Sequence, residues 1–197
     1  MPEPLTSTAA IEAARPRGIR LCERRLGKIE LRGDPGDRAF MAAVGRTLDL
    51  LLPTEPNSTA GQGDLVALWL GPDAWLLTCP PGALAAHTGS LRKALSDIHA
   101  AITDVSDGRV ALRLAGPSAR DVLAKGCPLD LHPRAFASGS CAQSLSAKAS
   151  VLIHLLDDEA QRGPTFDLYV ARSFAHYLWA WLEDAGREYG VQVEAAA

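Results

Sequence analysis

Apolar and polar positions fall into short alternating runs broken by turn residues, with two longer stretches of helical spacing. Residues 65–70 and 74–78 predict two strands joined by a Gly71-Pro72-Asp73 turn, and a helix follows from about residue 83 to 97. The same order returns near the end. "ASVLIHLLDD" and "TFDLYVAR" predict strands linked through Arg162-Gly163-Pro164. The stretch "SFAHYLWAWLEDAGREYG" then puts Phe174, Leu178, Trp181 and Leu182 on one helical face. Ser173 is the expected N-cap, and Gly186 or Gly190 the expected stop.

What precedes each of these blocks is also repeated. Residues 31–53 and 112–133 each open on Leu-Arg and pass a Gly/Pro turn into a helical stretch holding Arg38 or Arg120. Each then closes through Gly45 or Gly126 into Leu48-Asp49-Leu50 or Leu129-Asp130-Leu131, with Pro53 or Pro133 beyond. The pattern predicts an α+β chain of two similar halves, each strand, helix, strand hairpin and helix. The expected divisions are an N-terminal arm over residues 1–19, a first half over 20–100 and a second over 101–197, packed closely as one unit.

Composition narrows the partners. With 197 residues the chain is long enough to bury a substantial core, and its net charge of -3 mixes both signs without a basic stripe, which argues against nucleic acid. No apolar run approaches the roughly 20 residues of a membrane helix. The first residues have neither the basic start nor the apolar middle of a signal peptide and read as a polar arm. Cys22, Cys79, Cys127 and Cys141 are widely spaced, as in reduced thiols of a cytoplasmic protein used as small apolar residues.

The stretch that looks most reactive is residues 123–133, "LAKGCPLDLHP", where Lys125 and His132 flank Cys127. A thiolate activated by those cations, or zinc held by Cys127, His132 and Cys141, would be chemistry; a contact surface for a partner is a third use. The repeat favours a structural reading. Arg46 or Thr47 stands where Cys127 stands, while glycine, Leu-Asp-Leu and proline are shared, which suits a helix exit with glycine at positive φ. "GQGDL" at 61–65 precedes its strand, so it does not fit a dinucleotide fingerprint, and no P-loop or nucleophile elbow occurs. His154 in an apolar strand and His176 on the tryptophan-rich helix read as packing positions, and Trp69, Trp75, Trp179 and Trp181 as core or interface anchors. Asp107-Gly108 is a hairpin signal. No catalytic, cofactor-binding or metal-binding constellation is expected.

Residues 102–144, with "LAGPSAR" leading to "LAKGCPLDLHP", closely resemble the gamma subunit of heterotetrameric sarcosine oxidase. The resemblance runs on through "FDLYVARSFAHYLWAWLEDAG" and, more weakly, back to "LCERRLGKIELRG", covering most of the chain after about Arg20. It implies the folate-binding fold of aminomethyltransferases. It also implies a structural role beside alpha, beta and delta chains in an enzyme that oxidises sarcosine to glycine, with hydrogen peroxide and 5,10-methylenetetrahydrofolate as products. FAD, FMN, NAD and tetrahydrofolate would belong to the alpha and beta chains, and zinc to the delta chain. The alternative is a free-standing folate-binding or one-carbon-transfer protein, which would set Asp104 or Asp107 against the pterin and Arg113 or Arg120 near the glutamate tail. Lys125-Gly126-Cys127 also resembles a triplet of a folate-dependent protein of iron–sulfur maintenance, but Pro128-Leu129-Asp130 follows here in place of that family's aromatic residue and Gly-Gln.

Overall fold

The structure is a computed structural model that describes residues 18–196. The arm expected over residues 1–19 therefore lies, up to residue 17, outside the described residues, and Ile19 already opens a strand.

Eleven strands and four helices form the described chain: β1 (Ile19–Arg24), β2 (Gly27–Gly33), α1 (Arg38–Leu48), β3 (Thr59–Gln62), β4 (Leu65–Gly71), β5 (Ala74–Cys79), α2 (Leu84–Ala94), β6 (Ala100–Asp104), β7 (Arg109–Ala115), α3 (Ala119–Ala124), β8 (Cys141–Ser146), β9 (Ala149–Glu159), β10 (Gly163–Ala171), α4 (Ala175–Gly186) and β11 (Val191–Val193). The two predicted hairpins and the helix behind each are present. Sheet I has the order β3-β4-β5-β2-β6, and sheet II the order β11-β1-β7-β10-β9-β8. Read from the edge, β3-β4-β5-β2 and β8-β9-β10-β7 are the same arrangement, so the two halves share one α+β plan.

Two strands cross the boundary near residue 100. β1 pairs antiparallel with β7, and β6 pairs antiparallel with β2. The chain thus passes from sheet I to sheet II through residues 105–108, and Asp107-Gly108 turns between sheets without forming a hairpin. The local turn chemistry is as expected; the pairing is decided by which strand offers a free edge.

The layers follow from alternation along the strands. In sheet I, Ala67, Trp75 and Leu77 face α1 and α2 and pack with Phe40, Val44 and Leu91. In sheet II, Leu112, Leu114, Ile153, Phe166 and Leu168 face α3 and α4 and pack with Val122, Leu178 and Leu182. The opposite faces meet each other through Leu68 and Leu76 against Ala111, Cys141, Leu152 and Tyr169. The result is helices, sheet, sheet, helices. The bridge Ser58↔Ser140 and the Cys141 N–H donating to Asn57 O at 2.9 Å tie the sheets together.

Helix α1 begins where Asp37 Oδ1 accepts from Ala39 N at 2.8 Å, and buries Phe40, Ala43, Val44 and Leu48 at helical spacing. For α4 the N-cap is Phe174, behind a 3-10 turn that contains Ser173, so Ser173 does not cap it. Leu178 and Leu182 form the buried stripe, Trp181 is half-buried, and Phe174 stands outside at 45% exposure. His176 is exposed, so it is no packing position.

Candidate functional site

In residues 123–133 the reactive side chains are turned away from one another. Cys127 is buried in the helix-side core, with Sγ 3.8 Å from Ser144 Oγ. Lys125 instead bonds Ala185 O and Glu188 and lies 4.7 Å over the Tyr189 ring. His132 is exposed, and its Nδ1 accepts from Arg134 N at 3.2 Å. Cys141, the third supposed zinc ligand, faces the other side of sheet II, where Sγ meets Ser58 O at 3.3 Å and Trp69 O at 3.6 Å. Burial pushes that thiol up to about 11. Among the described residues, no group of three or more His, Cys, Asp or Glu could hold a metal ion.

The expected glycine device is also corrected. Gly126 does not have positive φ. Its missing Cβ would lie 2.5 Å from the Trp181 ring and 3.0 Å from Ala147 N, so the glycine makes room for a tryptophan. Gly45 lies inside α1, and the left-handed residue that ends this helix is Asp49, at φ 50.

The polar chemistry that the structure does assemble is on the inner face of sheet II. Cys22, Arg113, Asp167, His154 and Cys141 are cross-strand partners in succession, so one row runs across β1, β7, β10, β9 and β8. Arg113 donates bidentately to Asp167, Nε to Oδ1 at 2.7 Å and Nη2 to Oδ2 at 2.8 Å. That pairing raises the pKa of Arg113. His154 is 6% exposed, and burial holds it down to about 4, so its ring is neutral. Its Nδ1 is buried without a hydrogen-bond partner. Burial also pushes Cys22, Cys79 and Tyr169 up. A cavity of about 310 Å³ opens between the sheets here, walled by Arg24, Arg113, His154, Asp167, Tyr169 and Thr78 among others. Sequence pattern located none of this row, since a residue's partner two strands away is invisible along the chain. The only signal was a charged or titratable residue inside each apolar strand: Arg113, His154 and Asp167.

The four side chains proposed for folate do not converge. Arg113 is spent on Asp167. Arg120 lies on the opposite side of sheet II, 5.5 Å over Phe166, bonded to Asp158 at 2.8 Å and to the carbonyls of Leu131 and Phe136. Asp104 accepts from Ser106 N at 2.9 Å, and these local bonds lower its pKa. Asp107 is an exposed turn residue. At these positions the chain does not fit a pterin with a glutamate tail.

Residues 32–188 match the model of the sarcosine oxidase gamma subunit family. The chain belongs to that family. It is 35% identical over 164 residues to the sarcosine oxidase subunit gamma of Corynebacterium sp. (strain P-1), covering 82% of this chain and 76% of the relative. It is 33% identical over 189 residues to that of Corynebacterium sp. (strain U-96), covering 92% and 87%. Among solved structures it is similar to a chain of the heterotetrameric sarcosine oxidase from Corynebacterium sp. U-96 in complex with pyrrole 2-carboxylate. That match has a TM-score of 0.78 at 32% identity and covers 92% of this chain and 91% of the other. The glycine cleavage system aminomethyltransferase T from Bartonella henselae aligns with a TM-score of 0.64 at 18% identity, over all of this chain and 52% of that one. This second likeness establishes the aminomethyltransferase-like fold, as expected for a gamma subunit family member.

Proposed function

We propose that this chain is the non-catalytic gamma subunit of a cytoplasmic heterotetrameric sarcosine oxidase, held among alpha, beta and delta chains. Sarcosine is oxidised there to glycine, hydrogen peroxide and 5,10-methylenetetrahydrofolate. The observation that carries the reading is the match over about nine-tenths of both chains to a member of the U-96 complex. The internal use of Arg113, Arg120 and Lys125 supports it, because these three cations are each paired within the chain's own fold. FAD, FMN, NAD, tetrahydrofolate and zinc then reside on the partner chains. No helix of the described residues is long and apolar enough to cross a membrane.

Two measurements test it. Co-expression with the neighbouring chains should recover a four-chain assembly with sarcosine-dependent peroxide formation, and leaving this chain out should cost yield of assembly. Titrating the isolated chain with tetrahydrofolate should show no micromolar binding. Tight binding there would favour the free-standing folate protein instead.

A further inference from the structure

The internal repeat leaves one sheet edge without a counterpart. Strands β1 and β6 hold equivalent places. Each precedes the first strand of its own half, β2 or β7, and each pairs antiparallel with the first strand of the other, β1 with β7 and β6 with β2. Sheet II continues beyond β1 with β11, which runs parallel to it. Sheet I ends at β6.

The bonds to β11 show what such an edge receives. Ile19 N donates to Gly190 O at 3.0 Å, and Leu21 O accepts from Glu194 N at 3.0 Å. Alternate residues of β1 thus point their main-chain groups outward, and the short strand Val-Gln-Val meets them. On β6 the same alternation is open. Val105 N donates to Lys28 O at 2.9 Å, so Lys28 and Val105 are a hydrogen-bonded pair. With period two, Thr103 and Ala101 bond β2, while Asp104, Ile102 and Ala100 turn their N–H and C=O groups away from it. Among the described residues these outward groups have no main-chain partner.

This edge is also unguarded. Edge strands are commonly blunted by lysine, proline, a bulge or brevity. β6 is five residues, Ala-Ala-Ile-Thr-Asp, with one charge at its end and no bulge in its pairing. By contrast β8, the far edge of sheet II, is tied at both ends, where Cys141 N donates to Asn57 O and Ala147 N to Gly126 O, each at 2.9 Å. Ala101, Thr103 and Asp104 are exposed, and Ile102 is half-buried against the helix-side core of sheet I. A further strand would extend that core with an apolar residue beside Ile102 and set polar residues beside Ala101 and Thr103. The pattern is that of β11, whose Val191 packs on the helix-side core of sheet II.

We infer that β6 is a docking edge for an extended segment of a partner chain, which adds to sheet I in the place that β11 takes in sheet II. The inference rests on the reading of this chain as a gamma subunit, since an assembly of one alpha, beta, gamma and delta chain holds no second copy to supply the strand. Main-chain hydrogen bonds give the segment its hold, and the alternation of its side chains gives selectivity.

Hydrogen–deuterium exchange at single-amide resolution tests this, comparing the full-length chain alone with the chain co-expressed with alpha, beta and delta chains. The Ile102 and Asp104 amides should exchange freely in the chain alone and about tenfold or more slowly in the assembly, the effect of one added hydrogen bond. Val105, already bonded to Lys28, is the control and should be slow in both. Ile102→Pro removes one outward donor at an edge position that tolerates proline, and should weaken assembly by about tenfold or more. Ile102→Ala keeps the N–H and should weaken it less. If unfolding shows that the proline variant does not fold, the exchange comparison decides alone. Equal losses in two folded variants would assign the contact to the side chain and overturn the added strand. Both amides exchanging in the assembly as fast as in the chain alone would overturn the inference and leave the gamma-subunit reading standing. Protection already present in the chain alone would mean that its own residues or a second copy cover the edge, and would overturn it as well. Failure of any assembly to form would overturn both.

Discussion

The two halves share a plan and use it differently. In the first, Gly45 sits in the middle of α1, where an added Cβ would find Leu51 Cδ2 at an ordinary 3.5 Å. In the second, Gly126 lies under Trp181 and Ala147, with no space for a methyl group. The inner faces differ as well. Sheet I presents Leu68 and Leu76, with the one buried lysine, Lys28, bonded to its neighbour's carbonyl, Leu26 O, at 2.8 Å. Sheet II presents the Arg113–Asp167 pair and a neutral His154. One strand order tolerates two interiors because packing on the helix side already stabilises each sheet, which leaves the inner face free to carry polar groups once they are paired.

The sharpest way to break this contrast is to fill both glycines. Gly126→Val should cost about 3 kcal/mol or more, at the upper end of overpacking penalties, because a ring and a backbone amide must both move. Denaturant unfolding of the chain, and loss of assembly with partner chains, would register it. A nearly neutral result would mean that Trp181 is loosely held.

Acid should separate the sheets next. His154 falls from its usual 6.5 to about 4 in the folded chain, so below pH 6.5 the unfolded state binds the extra proton and folding loses stability as pH drops toward 4. The lost contribution is at most about 3 kcal/mol. His154→Phe should flatten the stability curve across that window, read from unfolding midpoints at successive pH values. An unchanged acid limb would place its cause elsewhere.

Gly45→Ala runs in the opposite direction. It removes a glycine from a helix interior without a clash and should stabilise by about 0.5–1 kcal/mol in the same unfolding measurement. The smallest effect is expected at Cys127→Ser. The buried hydroxyl can bond Ser144, so stability should change by about 1 kcal/mol or less. Turnover by the assembled enzyme should stay as it was. Lost turnover with assembly intact would make the thiol functional.

The α+β plan, the hairpins, the helices behind them and the family resemblance were legible in the chain itself. Each rests on short-range order: alternation with period two, helical spacing, and turn residues between runs. The wide spacing of the four cysteines points to small apolar residues, and the burial of Cys127 agrees. The shared glycine was read for the wrong reason. A helix exit at positive φ is a local device, whereas Gly126 is required by a tryptophan some fifty residues later, and the positive φ in the first half falls on Asp49.

What the sequence by itself determined, then, was which segments become strands and helices and which face of each is apolar. Only the tertiary structure decided that β1 and β6 trade sheets, that Arg120 and Arg113 end on opposite sides of sheet II, and that Arg113, Asp167 and His154 fall into one row. The physical reason is that hydrophobic periodicity is read within a few residues, while edge pairing and the registration of side chains across strands depend on contacts between residues tens of positions apart.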